Sequence, residues 1–302
     1  MTDQDWLATC FEAERPRLRT VAYRMLGSTA EAEDAVQDAW LRLSRADAAA
    51  IDNVGAWLTT VVARLALDRL RSARARHEET AGDHLPDPIV EPAGGPDPAA
   101  QAELADSIGL AMLVVLEQLA PAERLAFVLH DTFGLPFEEI APIVERTTTA
   151  TRQLASRARR RVRGGAAAGA LAKPASPKRQ REIIDAFIAA ARDGEFDALV
   201  RLLDPNVVVR ADFGTLGAFG TGGVPTVLHG PAEAARGALA FRHLAGGARR
   251  ATVSGAPGFV VFSHGKPYAV LAFAFGHDRI TEIDVLGDPE RLATLDLSAV
   301  EG

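Results

Sequence analysis

The sequence predicts a multidomain protein: two all-α domains, the second with a helix-turn-helix, followed by an α+β domain with an antiparallel sheet. Its 302 residues exceed what a single hydrophobic core usually holds. Apolar residues recur at helical spacing through the first half of the chain, and short alternating or apolar runs replace them in the last third. Segments rich in proline, glycine or alanine at 78–98 and 164–177 indicate linkers. We therefore expect domains at 1–77, 99–163 and 178–302.

Composition excludes several classes of protein. No apolar run approaches the roughly 20 residues that a membrane span needs, and the N-terminus lacks the basic and apolar regions of a secretory signal. The single cysteine, Cys10, excludes an internal disulfide and a cysteine-based zinc site. Histidine spacing fits no metal site, and the glycine-rich loop at 214–223 lacks the Lys-Ser/Thr of a nucleotide-binding loop. We therefore expect a soluble, cytoplasmic protein without a metal, a cofactor or a membrane partner.

Charge is segregated along the chain, although the formal net charge is −7. Seven arginines and no carboxylate lie within 146–163, and five arginines accompany a single acid within 64–76. In contrast, ten carboxylates and no lysine or arginine lie within 78–123. An arginine-rich helix without glutamate partners at i,i+4 suits a polyanion, whereas the alternative is a solvated helix face.

The helix predicted after Gly27-Ser28-Thr29 has two distinct faces. Alanines together with Val36 and Leu43 form its apolar side. The opposite side is an acidic and amide surface with one leucine, formed by Asp34, Gln37, Asp38 and Leu41. Such a face is often simply solvated, and it also suits a protein partner.

Three groups of residues occur in an order that is typical of one family. They are Ala32-Glu33-Asp34 with Gln37-Asp38 and Trp40, then Ala56-Trp57-Leu58 with Leu65-Ala66-Leu67-Asp68, and finally Glu138-Glu139-Ile140-Ala141 before the arginine-rich helix. On these residues the chain resembles the bacterial extracytoplasmic-function (ECF) sigma factors. The resemblance implies that the surface from Asp34 to Leu41 docks on core RNA polymerase.

The resemblance also implies a role in DNA opening for the helix at 56–76. This helix would read and open the −10 promoter region, and the loop at 47–55 would receive a base extruded from the melted strand. Trp57 is expected to belong to the core rather than to a stacking platform. The candidates for phosphate contacts are Arg64, Arg69, Arg71, Arg74 and Arg76.

The helix after Thr147 resembles the recognition helix for the −35 element of double-stranded promoter DNA. Its candidates for contact with base edges in the major groove are Thr148, Thr149, Arg152, Gln153 and Ser156. Those placed nearer the phosphates are Arg157, Arg159, Arg160 and Arg161. Relatives usually have glycine where this chain has Glu145 and asparagine where it has Arg64, and Pro142 should kink or shorten the preceding helix. The promoter sequence therefore does not transfer from the family.

The last part of the chain narrows the resemblance. A helix before Asp204-Pro205-Asn206-Val207, a glycine-rich loop and the ending at 283–292 resemble the SnoaL-like domain of SigJ-type sigma factors. The resemblance implies an α+β cone that encloses a pocket. It also marks regulatory positions between domains, namely Leu85, Pro86, Asp87 and Pro88 in the linker, and Asp212, Asp288 and Pro289 in the last domain.

The pocket of such a domain raises the question of catalysis, because SnoaL-like folds elsewhere carry out proton transfers. The polar candidates for its lining are Asp212, His229, His243 and Asp284. Alternatively, these side chains cap strand ends or form ordinary hydrogen bonds. We expect no enzymatic activity and leave the pocket open to an unknown small ligand.

These features predict an alternative sigma factor whose activity is modulated by its own C-terminal domain. The acidic linker is repelled by DNA and would favour the basic channel of a polymerase, unless it is only a disordered spacer. Two alternatives stay open: a plain helix-turn-helix repressor, and a SnoaL-like small-molecule-binding protein or enzyme fused to a helix-turn-helix regulator. An enzyme would need a closed polar pocket with paired titratable groups.

Overall fold

The computed structural model describes residues 3–46, 51–77, 85–93, 110–164, 176–214, 226–276 and 278–300. The chain forms two compact units, Met1–Ala81 with Leu116–Val162, and Gly82–Val115 with Arg163–Gly302. Large parts of both predicted linkers and of the glycine-rich loop lie outside the described residues. Within the described ranges, no helix is both long and apolar enough to cross a membrane.

The first unit begins with three helices, α1 (Asp3–Leu26), α2 (Thr29–Leu43) and α3 (Val54–His77). Gly27, with φ of +77°, ends α1, and the hydroxyl of Ser28 caps α2 by accepting from the amide of Glu31 at 3.4 Å. This confirms the predicted stop and N-cap. Fully buried leucines and a methionine hold the three helices together: Leu18, Met25, Leu43, Leu58 and Leu67.

The helix α4 (Leu110–Glu117) follows, and the first unit then continues with α5 (Pro121–Phe127), a π-helical turn (Val128–Thr132), α6 (Phe137–Val144) and α7 (Thr148–Gly164). Proline occupies the first position of α5, where its missing N–H is not needed. One narrow face of α7 is apolar and buried, with Ala155, Ala158 and Val162 in the core.

The turn between α6 and α7 forms despite its unusual residues. Glu145 adopts the left-handed conformation, with φ of 57° and ψ of 46°, that glycine supplies most easily. Pro142 lies within α6, and the helix ends two residues after it, at Val144. Thr147 caps α7 by accepting from the amide of Ala150 at 3.2 Å. The predicted helix-turn-helix is therefore present.

A buried arginine joins the two helical parts of the first unit. Arg124 of α5 donates through Nε to the backbone carbonyl of Arg24 in α1 at 3.1 Å. The Arg24 guanidinium in turn lies 5.1 Å from the ring centroid of Phe133. Burial lowers the pKa of Arg124 to about 10, and the nearby Glu117 opposes that shift. The helices predicted to contact the −10 and −35 elements, α3 and α7, thus belong to one packed unit.

The second unit contains helices on a seven-stranded sheet. The helices are α8 (Pro177–Asp193), α9 (Phe196–Leu202), α10 (Pro231–Ala240) and α11 (Pro289–Leu292). The strands are β1 (Val90–Pro92), β2 (Leu203–Asp212), β3 (Thr226–His229), β4 (Ala248–Val253), β5 (Ala256–Ser263), β6 (Lys266–Gly276) and β7 (Arg279–Leu286). This confirms the predicted α+β class.

The sheet has the order β1-β4-β5-β6-β7-β2-β3, and every neighbouring pair is antiparallel except β2 and β7. That parallel pair departs from the predicted antiparallel sheet. The reason is connectivity, because a long segment with a helix and several strands joins β2 to β7 in place of a hairpin. Strand β1 comes from the predicted linker and pairs with β4, so that Val90 lies opposite Val253.

Two tight hairpin turns join consecutive strands of the sheet. Ala256-Pro257-Gly258 is typical of a turn, but these residues belong to β5 and pair with β4. The turn between β4 and β5 lies just before them, where Ser254 and Gly255 have φ of 47° and 81°. Two residues with positive φ suit a tight hairpin. His264 and Gly265, with φ of 51° and 75°, form the turn between β5 and β6.

We predict that Glu145→Gly stabilises the first unit by about 0.5–1 kcal/mol, because a left-handed backbone costs a residue with a Cβ more than it costs glycine. Thermal and urea unfolding of the full chain measure this change. Glu145→Ala is the matched control, since it removes the exposed side chain but keeps the Cβ. A glycine variant no more stable than the alanine variant would contradict the prediction.

Candidate nucleic-acid and partner interfaces

The helix α2 presents the predicted acidic and amide surface to solvent. Its buried side consists of alanines with Val36 and Leu43, which leaves Asp34, Gln37 and Leu41 exposed. Leu41 keeps 48% of its surface accessible, so an apolar side chain lies within this polar surface. An exposed leucine between acidic and amide side chains provides an apolar anchor with a polar rim.

The fourth residue of that surface, Asp38, has an internal partner. Its Oδ2 accepts from Nη2 of Arg69 at 2.8 Å, and Nη1 of Arg69 donates to the carbonyl of Glu31 at 2.7 Å. Arg69 was predicted to contact DNA, but its guanidinium bridges α2 and α3. The contact suits a residue that fixes the angle between the two helices.

The other arginines of α3 differ in their surroundings. Arg64 is exposed, and Arg71 lies 4.0 Å from Asp68 in an exposed pair. Trp57 is half-buried, in keeping with a partly core role. The side chains of Arg74 and Arg76, and residues 47–50 of the predicted base-receiving loop, lie outside the described part of the structure.

Carboxylates from preceding helical segments reach the arginine-rich helix α7. Glu123 of α5 lies between Arg157 and Arg161, with its oxygens 3.6 Å and 2.7 Å from their nitrogens. Arg159 donates to Asp131 of the π-helical turn at 2.6 Å. The side chain of Glu123 is only 6% exposed. The helix α7 contains no carboxylate of its own, as predicted, but carboxylates of other segments pair with its arginines.

These pairings divide the predicted DNA-contacting arginines of α7. Three of them, Arg157, Arg159 and Arg161, bind carboxylates of the same unit. Glu123 and Asp131 could not be recognised as partners from the sequence, because they precede the arginines by 28–38 positions. No local spacing connects residues that far apart, so only the fold reveals the pairs.

An exposed stripe remains on α7. It has helical spacing on one face and consists of Thr149, Arg152, Gln153, Ser156 and Arg160. Thr148 beside it is half-buried. The Arg152 guanidinium lies 5.4 Å from the ring centroid of Phe137 and 3.8 Å from a Glu138 oxygen, so two residues of α6 orient it. A single polar stripe on the second helix of a helix-turn-helix can enter the major groove of DNA.

In the second unit, Arg291 joins the two segments that were marked as regulatory. Its Nε donates to Asp87 at 3.0 Å, its Nη1 donates to Asp212 at 3.0 Å, and its Nη2 donates to the carbonyl of Leu85. Pro86 and Pro88 are buried on either side of Asp87.

The predicted residues of α11 position that arginine. The carboxylate of Asp288 caps α11 by accepting from the amides of Glu290 and Arg291, and Pro289 occupies the first helical position. Three of the seven marked residues, Leu85, Asp87 and Asp212, therefore bind the Arg291 guanidinium, and Asp288 and Pro289 form the start of its helix. Arg291 itself was missed, although its place in the first turn after an Asp-Pro cap was visible in the sequence.

The apolar cavity of this unit contains none of the four polar residues predicted for its lining. The cavity has a volume of about 110 Å³ and is walled by aliphatic and aromatic side chains, including Val209, Ala211, Ile283 and Val285. That prediction is wrong for Asp212, His229, His243 and Asp284.

The pleat of the sheet explains this outcome. Alternate residues of a strand point to opposite faces, so Arg210, Asp212, Glu282 and Asp284 lie on the face away from the cavity. There Arg210 contacts Glu282 and lies 3.2 Å from Asp284. Burial raises the pKa of Asp284 to about 6, although Arg210 opposes the shift. His229 and His243 are exposed.

Comparison with known proteins agrees with this geometry. The Sigma-70 region 2 family matches residues 10–76, and the Sigma-70, region 4 family matches residues 110–162. The chain is 45% identical over 202 residues to the ECF RNA polymerase sigma factor SigJ of Mycobacterium tuberculosis, a match that covers 67% of this chain and 64% of that protein. It is 35% identical over 302 residues to a probable ECF RNA polymerase sigma factor, SigI, of the same species, with 98% of each covered.

A solved structure supports the same conclusion for nearly the whole chain. The crystal structure of M. tuberculosis SigJ superimposes with a TM-score of 0.74 at 33% identity, covering 96% of this chain and 99% of that one. The architecture of the second unit is consistent with the predicted SnoaL-like domain. The chain thus belongs to the ECF RNA polymerase sigma factors, the promoter-recognition subunits of transcription initiation.

Proposed function

We propose that this chain binds core RNA polymerase through Asp34, Gln37 and Leu41, reads the −35 element with α7 and opens the −10 region with α3. The observation that carries the proposal is the pair of exposed surfaces in the first unit, one acidic and amide, the other a polar stripe with arginines. Both are built on buried cores, so neither is needed to stabilise its own helix. The chain acts by binding, in the cytoplasm, where polymerase and promoter DNA meet.

The surroundings of each arginine suggest which ones contact base edges, which contact phosphates and which orient α7. Arg152 and Gln153 lie near the start of α7 and are suited to base edges, with Thr149 and Ser156 beside them. Arg160 has the exposure expected of a phosphate contact. We assign Arg157, Arg159 and Arg161 chiefly to orienting α7, because each already binds a carboxylate. On α3, Arg64 is the strongest candidate for a phosphate contact among the side chains that the structure describes.

The second unit is proposed to regulate the first through the linker. Arg291 holds Leu85 and Asp87, and β1 adds this part of the linker to the sheet edge at β4. A linker restrained at these points limits the separation of the two DNA-binding helices along the promoter. Release of the linker would therefore activate the chain, with Asp212, Asp288 and Pro289 as the residues that maintain the restraint.

The cavity of the second unit is proposed to receive a small ligand. A fused enzyme would need paired titratable groups in that cavity, and among the residues that the structure describes no acidic or histidine side chain lines it. The cavity therefore favours a regulatory domain over a catalytic one.

We predict different consequences for the two groups of residues on the exposed stripe of α7. Arg152→Ala and Gln153→Ala should change the preferred −35 sequence, with about 10–100-fold loss at particular base pairs. Arg160→Ala should weaken all promoters similarly and reduce the slope of affinity against salt by about one phosphate contact. Selection from randomised promoters and binding at several salt concentrations, both with reconstituted holoenzyme, measure these effects. Identical profiles for the three variants would contradict the proposed division.

We predict that Glu123→Gln destabilises the first unit by about 1–2 kcal/mol and weakens binding to every −35 sequence. The substitution leaves Arg157 and Arg161 without their shared carboxylate, so α7 loses its orientation rather than its base contacts. Denaturant unfolding and promoter selection are the two measurements. Asp131→Asn, at a more exposed carboxylate that pairs with a single arginine of α7, serves as a control with a smaller expected effect. A changed order of promoter preference would instead make Glu123 a specificity residue.

We predict that Asp87→Asn raises run-off transcription by core polymerase several-fold, because it removes the charge that holds the linker to Arg291. Glu91→Gln in the same linker segment is the matched control and should leave transcription unchanged. Binding to core polymerase, measured separately, shows that the variant is folded and competent. Unchanged or reduced transcription by Asp87→Asn would contradict regulation through this contact.

A further inference from the structure

Three aromatic rings form one part of the wall of the cavity in the second unit. Phe213 stacks on Phe241 with ring centroids 5.8 Å apart and an angle of 9° between the planes. Tyr268 completes the group, with its ring centroid 5.9 Å from that of Phe213 and 6.5 Å from that of Phe241. All three rings line the cavity, and within the described part of the chain Tyr268 supplies the one polar side-chain group in the lining.

The lining determines the class of molecule that the cavity can hold. A charged group placed there would lose its hydration without gaining a partner, which excludes carboxylates, phosphates and amines. The volume of about 110 Å³ is comparable to that of apolar cavities of about 150 Å³ that stay dry and bind benzene. The cavity thus suits one uncharged six-membered ring or an alkyl group of similar size, with at most a hydroxyl directed at Tyr268.

Two adjacent residues, Phe213 and Asp212, connect the wall of this cavity to the contact between Arg291 and the linker. Phe213 faces the cavity, and the preceding residue, Asp212, faces Arg291 at 3.0 Å on the opposite side of the sheet. The Phe213 ring also packs directly against Gly287, where an added Cβ would lie 2.3 Å from it.

The backbone reinforces this connection. The amide of Gly287 donates to the carbonyl of Asp212 at 2.6 Å, and the next residue, Asp288, caps the helix that bears Arg291. A displacement of the Phe213 ring is therefore passed to both residues that position the Arg291 guanidinium, namely Asp212 and Asp288.

We propose that the cavity is a binding site for a small, uncharged, apolar ring compound, and that occupancy tightens the hold of Arg291 on the linker. A ligand that fills the space between the rings favours the arrangement of Phe213 seen in the structure. That arrangement is the one in which Asp212 and Asp87 both bind Arg291. The ligand then acts as a corepressor, a consequence that rests on the proposed regulatory function.

Binding is tested with the full chain and toluene as the probe, by calorimetry and thermal shift. We expect one molecule of toluene per chain and a rise in Tm of about 3 °C at ten times the Kd. Benzoate, of similar size but charged, should not bind. Ala238→Leu narrows the cavity and should weaken toluene binding at least tenfold, whereas Ala240→Leu, on an exposed position of the same helix, should have no effect. Absence of saturable toluene binding, or equal binding by both variants, would overturn the proposal.

The coupling is tested by hydrogen exchange, which requires neither polymerase nor promoter. Toluene should slow exchange of the linker amides at Asp87, Ile89, Val90 and Glu91 at least threefold. Ala238→Leu should slow the same amides without toluene and should then be insensitive to it. Toluene binding that leaves linker exchange unchanged would overturn the coupling.

Transcription separates this inference from the proposed function. If the chain is a sigma factor, run-off transcription occurs without toluene, and its decrease on adding toluene should disappear in Ala238→Leu. A chain that binds toluene and slows linker exchange but supports no transcription would contradict the proposed function and leave the site in place. A chain that transcribes normally but never responds to bound toluene would overturn the corepressor role.

Discussion

The ion pairs of Arg291 are the contact on which the proposed regulation depends. The guanidinium lies between two carboxylates that are 125 positions apart in the chain, Asp87 and Asp212, and the side chain of Asp212 is only 1% exposed. A buried carboxylate is costly unless a cation or hydrogen bonds compensate its charge, so replacing Arg291 would remove the guanidinium that both carboxylates share. The linker, the end of β2 and the first turn of α11 therefore hold one another in place. Such a cluster favours two discrete states, complete or released, over a gradual series.

The same principle operates in the first unit, where charge placement determines which arginines remain for DNA. Glu123 is nearly buried and neutralises the inner edge of α7, which fixes the helix and leaves a narrow polar stripe outside. Because −10 and −35 elements lie about 25 base pairs apart, roughly 85 Å of duplex separates them. Helices α3 and α7 belong to one compact unit in this structure. Under the proposed function, α3 and α7 would separate on the promoter and break the contact of Arg124 with the Arg24 carbonyl, which a restrained linker would oppose.

Local patterns in the sequence predicted the helices well, but they could not predict which residues pair across long sequence separations. The caps at Ser28 and Thr147 and the stop at Gly27 depend on neighbouring residues, so the pattern was sufficient to place them. The left-handed Glu145 was visible as a departure from glycine. The partners of Arg157 and Arg161 could not be predicted, because helical spacing says nothing about an acid 38 positions away. The central role of Arg291 was hidden for the same reason.

The cavity shows why the polar residues of its lining could not be predicted from residue type alone. Asp212 and Asp284 lie in strands that line the cavity, yet the register between β2 and β7 turns both away from it and turns Ala211 and Val285 towards it. A shift of one residue would exchange the two faces and create an acidic pocket. The fold thus keeps an apolar cavity on one face of these strands, and their charged side chains lie on the opposite face. One face of β2 lines the apolar cavity, and on its other face Asp212 contacts the linker through Arg291. In the proposed mechanism, β2 therefore transmits the occupancy of the cavity to the linker without any chemical step.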